Sequence, residues 1–234
     1  MDATSVAHPL DNPVWSSMTG FHAELADVVG VDGSGAGRYR RDVCPFGAVA
    51  DDRDPACWSA LDEVLEGHGV ALIVEADAVP AGWEITATIP GLQMDGSGLE
   101  AAGDPELVEL GEDDVADMLA LVERTRPGPF LPRTVTMGTY LGLRQGGVLV
   151  AMAGERLRPV GWTELSAVCT DEALRGRGLG TRLVRAVGAG VAQRGERPFL
   201  HAAVTNETAI RLYLDLGFVV RRTVSFTLLR KAAG

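Results

Sequence analysis

The spacing of apolar residues along the chain changes several times between the period of a helix and that of a strand. Apolar residues recur at three- and four-residue intervals after Asp54-Pro55, a pair typical of a helix start, and again from Val115 to Val122. The segments 179–193 and 207–217 also predict helices. Runs of apolar and β-branched residues between them predict strands over 70–76, 83–89, 106–110, 147–157, 162–170, 199–204 and 219–230.

Two clusters of glycine, serine and aspartate interrupt these periods. The first covers residues 31–37, and its GSGAG stretch at 33–37 is interpreted as a loop because no clear helix follows it. The second covers residues 94–105 and divides the chain into an N-terminal half, 1–103, and a second half, 104–234. A short helix is also predicted around 135–141. Both halves mix helices and strands, which predicts an α/β protein.

Composition narrows the classes of protein to which the chain can belong. It has 234 residues, of which 46% are hydrophobic, enough for a buried core. A formal net charge of −11 argues against broad nucleic-acid binding, which requires a basic surface. The three cysteines are widely separated, which predicts neither a disulfide framework nor a metal site. Since no apolar run could span a bilayer and no leader pattern is evident, we expect a cytoplasmic protein without membrane partners.

A glycine- and arginine-rich turn, Arg175 to Gly180, lies between a predicted strand and a predicted helix. The first backbone N–H groups of a helix have no intrahelical partner, and glycines let an anion approach them closely. The turn therefore predicts a phosphate site, with arginines 175, 177, 182 and 185 adding positive charge. Neither a Walker A loop nor the dinucleotide-binding pattern G-x-G-x-x-G is present. A plain tight turn at a helix start remains the structural alternative.

The turn resembles the R/Q-x-x-G-x-G/A loop of the GNAT acyltransferase superfamily. A second segment, Asn206 to Phe218, is similar to the N-x-x-A-x-x-L-Y-x-x-x-G-F pattern of the same superfamily. The resemblance covers roughly residues 105–234 and is strongest to the glycine N-acyltransferase-like subgroup. It implies a mixed central sheet flanked by helices. In that subgroup a degenerate copy of the fold precedes the active one, so we expect such a copy in residues 1–103.

The resemblance also implies a co-substrate, acetyl-CoA or another acyl-CoA, and no metal. Main-chain groups of Val168 and Thr170 would bind the pantetheine arm, which pairs like an added strand in this superfamily. Asn206 would cap the following helix and also contact the pantetheine arm. The pyrophosphate would lie against the backbone amides of Arg175, Gly176, Arg177, Gly178, Leu179, Gly180 and Thr181.

Two residues are the predicted catalytic groups. Tyr213 occupies the position at which similar proteins protonate the CoA sulfur, although packing against the sheet would also explain a tyrosine there. Glu164 is the predicted general base, because a carboxylate in the middle of a strand is costly unless it is paired, exposed or functional. Strand alternation predicts that residues 164, 166, 168 and 170 share one face. Glu155 and His201 remain alternatives for the base, and a structural role for each is also open.

The acceptor is expected to bind near the proline-rich loop 124–134. Phe130 and Leu131 offer apolar contacts there, and Arg126 and Arg133 could bind a carboxylate. The resulting prediction is an N-acetyltransferase that transfers an acetyl group directly to the amine of a small molecule or peptide. A non-catalytic acyl-CoA-binding or regulatory module of the same fold is the alternative. The sequence leaves a homodimer open.

Overall fold

The computed structural model describes residues 8–31 and 34–232. It contains helices α1 (Pro13–Met18), α2 (Pro55–Leu65), α3 (Val115–Thr125), α4 (Leu179–Gln193) and α5 (Glu207–Asp215). The first strands are β1 (Ala26–Val31), β2 (Ser34–Tyr39), β3 (Gly47–Val49), β4 (Val70–Ile73) and β5 (Trp83–Asp95). The remaining strands are β6 (Val108–Leu110), β7 (Tyr140–Gln145), β8 (Val148–Glu155), β9 (Trp162–Thr170), β10 (Arg197–Ala203) and β11 (Val219–Lys231). None of the described helices is long and apolar enough to cross a membrane.

An eight-stranded mixed sheet organises the molecule, in the order β4-β11-β5-β10-β9-β8-β7-β6. Strands β9 and β10 are parallel, whereas their other pairings in this sheet are antiparallel. Helix α4 packs on one face, where its apolar residues share a core cluster with β8, β9 and β10. The predicted mixed α/β sheet flanked by helices is therefore confirmed.

The N-terminal half contributes to this sheet and also covers part of it. Strands β1, β2 and β3 form a separate antiparallel sheet, against which α1 and α2 pack. One core cluster joins Leu10, Tyr39 and Phe46 of this unit to Trp162 and Phe199 of the large sheet. Strand β5 lies between β10 and β11 and is antiparallel to both. The segments on the two sides of the predicted division at 103 and 104 thus share one sheet.

Two elements predicted from the sequence differ in the structure, and local packing explains the first of them. The GSGAG stretch was expected to be a loop, but Ser34 to Gly37 belong to β2, and Gly33 lies outside the described residues. A Cβ at Gly35 would lie 2.5 Å from the Val29 carbonyl oxygen and 3.2 Å from the Trp15 ring of α1, so this strand needs glycine for close approach rather than for a turn. The predicted helix around 135–141 is also wrong. A short 3₁₀ turn, Thr134–Met137, leads there into β7.

Candidate active site

A wedge-shaped opening in the sheet separates β9 from β10. The two parallel strands pair only at their starts, through Trp162 to Glu164 on β9 and Arg197 to Phe199 on β10. Beyond these positions the strands diverge, and Leu165 and Leu200 continue into the core cluster beneath α4. Among the described residues, no strand pairs with the main-chain groups that face this wedge. An extended ligand can therefore pair with them as an added strand does.

A β-bulge at Ala167 sets the direction of the residues that line the wedge. Ala167 has a φ of 52°, and the register with β8 shifts between Met152 and Gly154. Because of the bulge, Val168 packs with the α4 cluster, whereas Cys169 packs with the α3 cluster on the opposite face. The expectation that residues 164 to 170 alternate without a break was wrong. Glu164 and Val168 lie on opposite faces of the sheet.

The main chain of Val168 and Thr170 faces the wedge. The N–H of Asp171 donates to the Val150 carbonyl on β8, so alternation directs the main-chain groups of residues 170 and 168 to the other side. The Thr170 carbonyl accepts a 3.4 Å hydrogen bond from Arg175 Nε, which ties the strand end to the following turn. Contact of these two residues with a pantetheine arm stays a prediction.

The turn before α4 presents its backbone outward. Gly176 and Gly178 have φ values of 76° and 75°, a conformation that favours glycine, and a Cβ at either would meet no atom within 4 Å. The Gly178 carbonyl accepts the first helical hydrogen bond, from the Arg182 N–H, so the N–H groups at the start of α4 have no partner of that kind. Leu179 is buried and fixes the turn to the core. Backbone N–H groups that are exposed at the N-terminus of a helix can bind an anion.

Carboxylates reduce the positive charge that the sequence places here. Arg182 forms ion pairs with Asp104 at 2.6 Å and Glu106 at 2.5 Å, and Arg185 pairs with Glu100 at 3.3 Å. Among the described residues, Arg175 and Arg177 have no carboxylate partner. The predicted cluster of four arginines therefore contains two that are free to meet an anion.

Helix α5 carries the second motif. The Asn206 side chain accepts a 3.2 Å hydrogen bond from the Ala209 N–H, so it caps the helix as predicted. Tyr213 is 8% exposed and packs in the same core cluster as Leu165 and Leu200. Burial and the nearby Cys169 raise the pKa of Tyr213 to about 12. None of the described residues hydrogen-bonds its hydroxyl. Because the pKa is raised, the phenol stays protonated at neutral pH and can donate a hydrogen bond.

Glu164 lies at the narrow end of the wedge but is fully buried. Arg156 holds its carboxylate with two hydrogen bonds, at 2.8 Å from Nε and 2.6 Å from Nη2. Burial alone would raise the pKa of Glu164, but Arg156 and His201 outweigh burial and lower the pKa to about 2. A carboxylate with this pKa is a poor base at neutral pH. Glu164 was predicted to be the general base, and its ion pair and low pKa both argue against that role.

His201 is held in one tautomer by its neighbours. Its Nε2 lies 3.1 Å from the Gln93 side-chain nitrogen, and the Gln93 oxygen accepts from Arg221, which fixes the orientation of the amide. Gln93 is therefore the donor, and His201 Nδ1 carries the proton that it donates to Glu164 at 2.7 Å. Both ring nitrogens are occupied, so His201 has no free nitrogen for a substrate proton.

Glu155, the third candidate base, is also engaged. Its carboxylate pairs with Arg194 at 2.8 Å and accepts a 3.3 Å hydrogen bond from the Thr139 N–H. Its side chain is 5% exposed. The three candidate bases are thus close in the fold but each is paired.

Sequence reasoning missed the two residues that organise this cluster, Arg156 and Gln93. Both are buried polar residues within otherwise apolar strands or their ends. The signal was available in part, because a buried glutamate requires a cation and Arg156 is close to Glu164 in a hairpin. Within residues 8–31 and 34–232, no group of three or more His, Cys, Asp or Glu side chains could hold a metal ion.

Comparison with known structures identifies the fold and its chemistry. A solved protein from Novosphingobium aromaticivorans, assigned as an acetyltransferase of the GNAT family, is 41% identical to this chain. The match covers 97% of this chain and 100% of that one, with a TM-score of 0.84. This chain belongs to the GNAT family of acetyltransferases. The resemblance to the superfamily is thereby confirmed, and membership of the glycine N-acyltransferase-like subgroup stays a prediction.

More distant comparisons agree at the level of the fold. Residues 140–227 of this GNAT protein match the family described as FR47-like protein. A GCN5-related N-acetyltransferase from Kribbella flavida is 18% identical, with 94% of each chain covered and a TM-score of 0.58. A GCN5-related N-acetyltransferase-like protein from Streptococcus suis is 16% identical over 94% of this chain and 92% of that one, also with a TM-score of 0.58. A search of curated proteins found no match.

Proposed function

We propose that this protein transfers the acetyl group of acetyl-CoA to the amine of a small molecule or peptide, by direct transfer in a ternary complex. The observation that carries this proposal is the position of the open glycine turn at the end of the β9–β10 wedge. Unpartnered amides and two free arginines fit a pyrophosphate. The adjoining main chain of Val168 and Thr170 fits a pantetheine arm, and the site stands on an acetyltransferase fold.

Transfer requires one bond to form and one to break. The amine nitrogen attacks the thioester carbonyl carbon, a C–N bond forms, and the C–S bond breaks to release the CoA thiolate. The wedge would hold the reacting groups in position. Donors of the protein would hydrogen-bond the groups that gain negative charge. Main-chain N–H groups of β9 that face the wedge are candidates for the carbonyl oxygen.

Tyr213 is the proposed group at the departing sulfur. A simple thiol has a pKa of about 8.5, so complete proton transfer to the thiolate from a phenol of pKa about 12 is unfavourable. The proposed role is therefore a hydrogen bond that stabilises the thiolate as it forms, with final protonation by solvent. Tyr213→Phe should lower kcat and leave the affinity for CoA unchanged.

Glu164 is proposed as a positioning residue. Its carboxylate fixes the His201 ring and the Arg156 side chain at the narrow end of the wedge. The proton of the attacking amine would then leave to water rather than to this carboxylate directly. Glu164→Gln tests the predicted role of base, because loss of a base changes the pH dependence of kcat whereas loss of a positioning group lowers kcat at every pH.

Calorimetric titration with CoA and with acetyl-CoA tests the proposed function directly. We expect binding in the micromolar range, about −8 kcal/mol, for the unmodified protein. Gly178→Glu places a carboxylate on the amides and should weaken both ligands at least 100-fold. Gly67→Glu is the matched control, because Gly67 also has a positive φ, 81°, and open space around it, far from the turn in sequence.

The outcomes of these titrations separate three cases. If CoA does not bind the unmodified protein, or binds Gly178→Glu equally well, the phosphate site and the enzyme proposal fail together. Binding of CoA without acetylated product from a pool of small amines and peptides, read by mass spectrometry, would favour the non-catalytic acyl-CoA-binding module. Product lost in Tyr213→Phe supports acetyl transfer at this site.

A further inference from the structure

A cavity lies between the N-terminal unit and the large sheet. It has a volume of about 470 Å³, within the usual range for small-molecule sites. The segment 38–46 forms one wall, and the ends of β4, β5 and β11 form the other. Leu131, from the proline-rich loop expected to contact the acceptor, also lines it.

The charge around this cavity is opposite to that of the protein. Three arginines line it, Arg38, Arg41 and Arg230, and none of its described lining residues is acidic. The whole chain has 32 acidic and 21 basic residues and a net charge of −11. Because all the charged side chains that line it are cations, the cavity favours anions locally.

The three arginines differ in how far they are already paired. Arg38 donates to the Val64 carbonyl at 3.0 Å and has a distant ion pair with Asp27, at 3.7 Å. Arg230 pairs with Glu84 through two hydrogen bonds. Among the described residues, Arg41 has no carboxylate partner. Arg41 is therefore the cation most available to a ligand.

The inner part of the cavity is apolar. Phe46, Val70 and Leu228 line it, together with the Cys44 thiol. Burial raises the pKa of Cys44 to about 11, so the thiol is neutral and behaves as a small apolar group. Phe46 also contacts Arg156, whose guanidinium lies 4.9 Å from the ring centre. A ligand inside would thus be one side chain away from the Arg156–Glu164 pair.

We propose that this cavity binds a small carboxylate with an apolar body, its carboxylate at Arg41 and its apolar part against Phe46 and Leu228. The inference goes beyond acetyl transfer and does not depend on it, since the glycine turn and the cavity share no residues. Two sources fit this chemistry: the acyl acceptor, if it is a carboxylated amine, and a separate effector.

Three related probes test the site by calorimetry at low salt. Leucine and 4-methylpentanoate share a carboxylate and a branched apolar body, whereas 3-methylbutylamine has the same body without the carboxylate. We expect the two carboxylates to bind and the amine not to bind. Arg41→Ala should weaken the carboxylates about tenfold, as expected for one charge-assisted hydrogen bond. Arg53→Ala, an exposed arginine outside the cavity, should have no effect.

A second readout distinguishes the two sources. Acetylated leucine formed with acetyl-CoA, and lost in Arg41→Ala, would assign the cavity to the acceptor. Carboxylate binding that depends on Arg41 but gives no product would assign it to an effector. The proposal is overturned if neither carboxylate binds in the millimolar range, if the amine binds equally well, or if Arg41→Ala leaves affinity unchanged. The CoA titration is independent, so failure of this site is distinguishable from failure of acetyl transfer.

Discussion

Arg156 and the arginines of the glycine turn lie at opposite ends of the same wedge and differ in how their charges are satisfied. Arg156 is 9% exposed and holds Glu164 through two hydrogen bonds. Arg175 and Arg177 are exposed and have no carboxylate partner in the described part of the chain. The comparison shows that the same residue type serves the fold where it is paired and remains available to a ligand where it is not.

Removal of Arg156 should have the largest effect on stability, because it breaks a buried ion pair. Arg156→Met leaves the Glu164 carboxylate buried without its cation, and we expect a loss of about 3–5 kcal/mol in the free energy of unfolding, measured in urea. Arg230→Met is the matched control, since it breaks the exposed pair with Glu84 and should change little. Equal losses in the two variants would show that burial does not determine how much an ion pair contributes to the free energy of unfolding.

His22 is a second buried polar group, and its effect on stability should depend on pH. His22 donates from Nε2 to the Met137 carbonyl at 3.0 Å, and its Nδ1 accepts from the Tyr39 hydroxyl at 2.9 Å. Burial, with a smaller contribution from Arg158, lowers the pKa of His22 from 6.5 to about 4. The unfolded chain therefore takes up a proton before the folded one does, and stability should be lost as pH falls from about 6.5 to 4.

The magnitude follows from the size of the pKa shift. About 1.4 kcal/mol for each pKa unit gives a loss of roughly 3 kcal/mol over this interval, read from urea unfolding at each pH. His22→Gln, which cannot be protonated, should remove most of this slope. A slope unchanged in His22→Gln would assign the acid sensitivity to other groups.

Much of the fold follows from local patterns in the sequence. The bounds of α4 and β9 were predicted to the residue, because the helical period and the β-branched run each end at a sharp turn signal. The glycine turn before α4 was also predictable, since its conformation depends on consecutive residues. Tyr213 and Asn206 belong to one motif on one helix and were placed for the same reason.

Contacts between distant segments could not be predicted in this way. The pairing of β5 with β10 and β11 joins residues more than 100 positions apart. The Ala167 bulge reverses the side-chain directions that simple alternation assigns, and nothing in the local sequence marks it. Glu164 was judged from its strand alone. Its partners Arg156 and His201 come from two other segments, and they change it from a candidate base into a buried ion-pair member.

The smallest expected effect is on CoA binding, and it compares an unpaired arginine near the glycine turn with a paired one. Arg177 has no carboxylate partner among the described residues, whereas Arg182 is held by Asp104 and Glu106. Arg177→Ala should weaken CoA binding a few-fold, and the loss should shrink as salt is raised because the contact is exposed. Arg182→Ala should leave CoA affinity nearly unchanged, since its guanidinium is already occupied. If the two variants weaken CoA equally at low salt, then net charge near the turn, rather than the unpaired state of individual arginines, attracts the pyrophosphate.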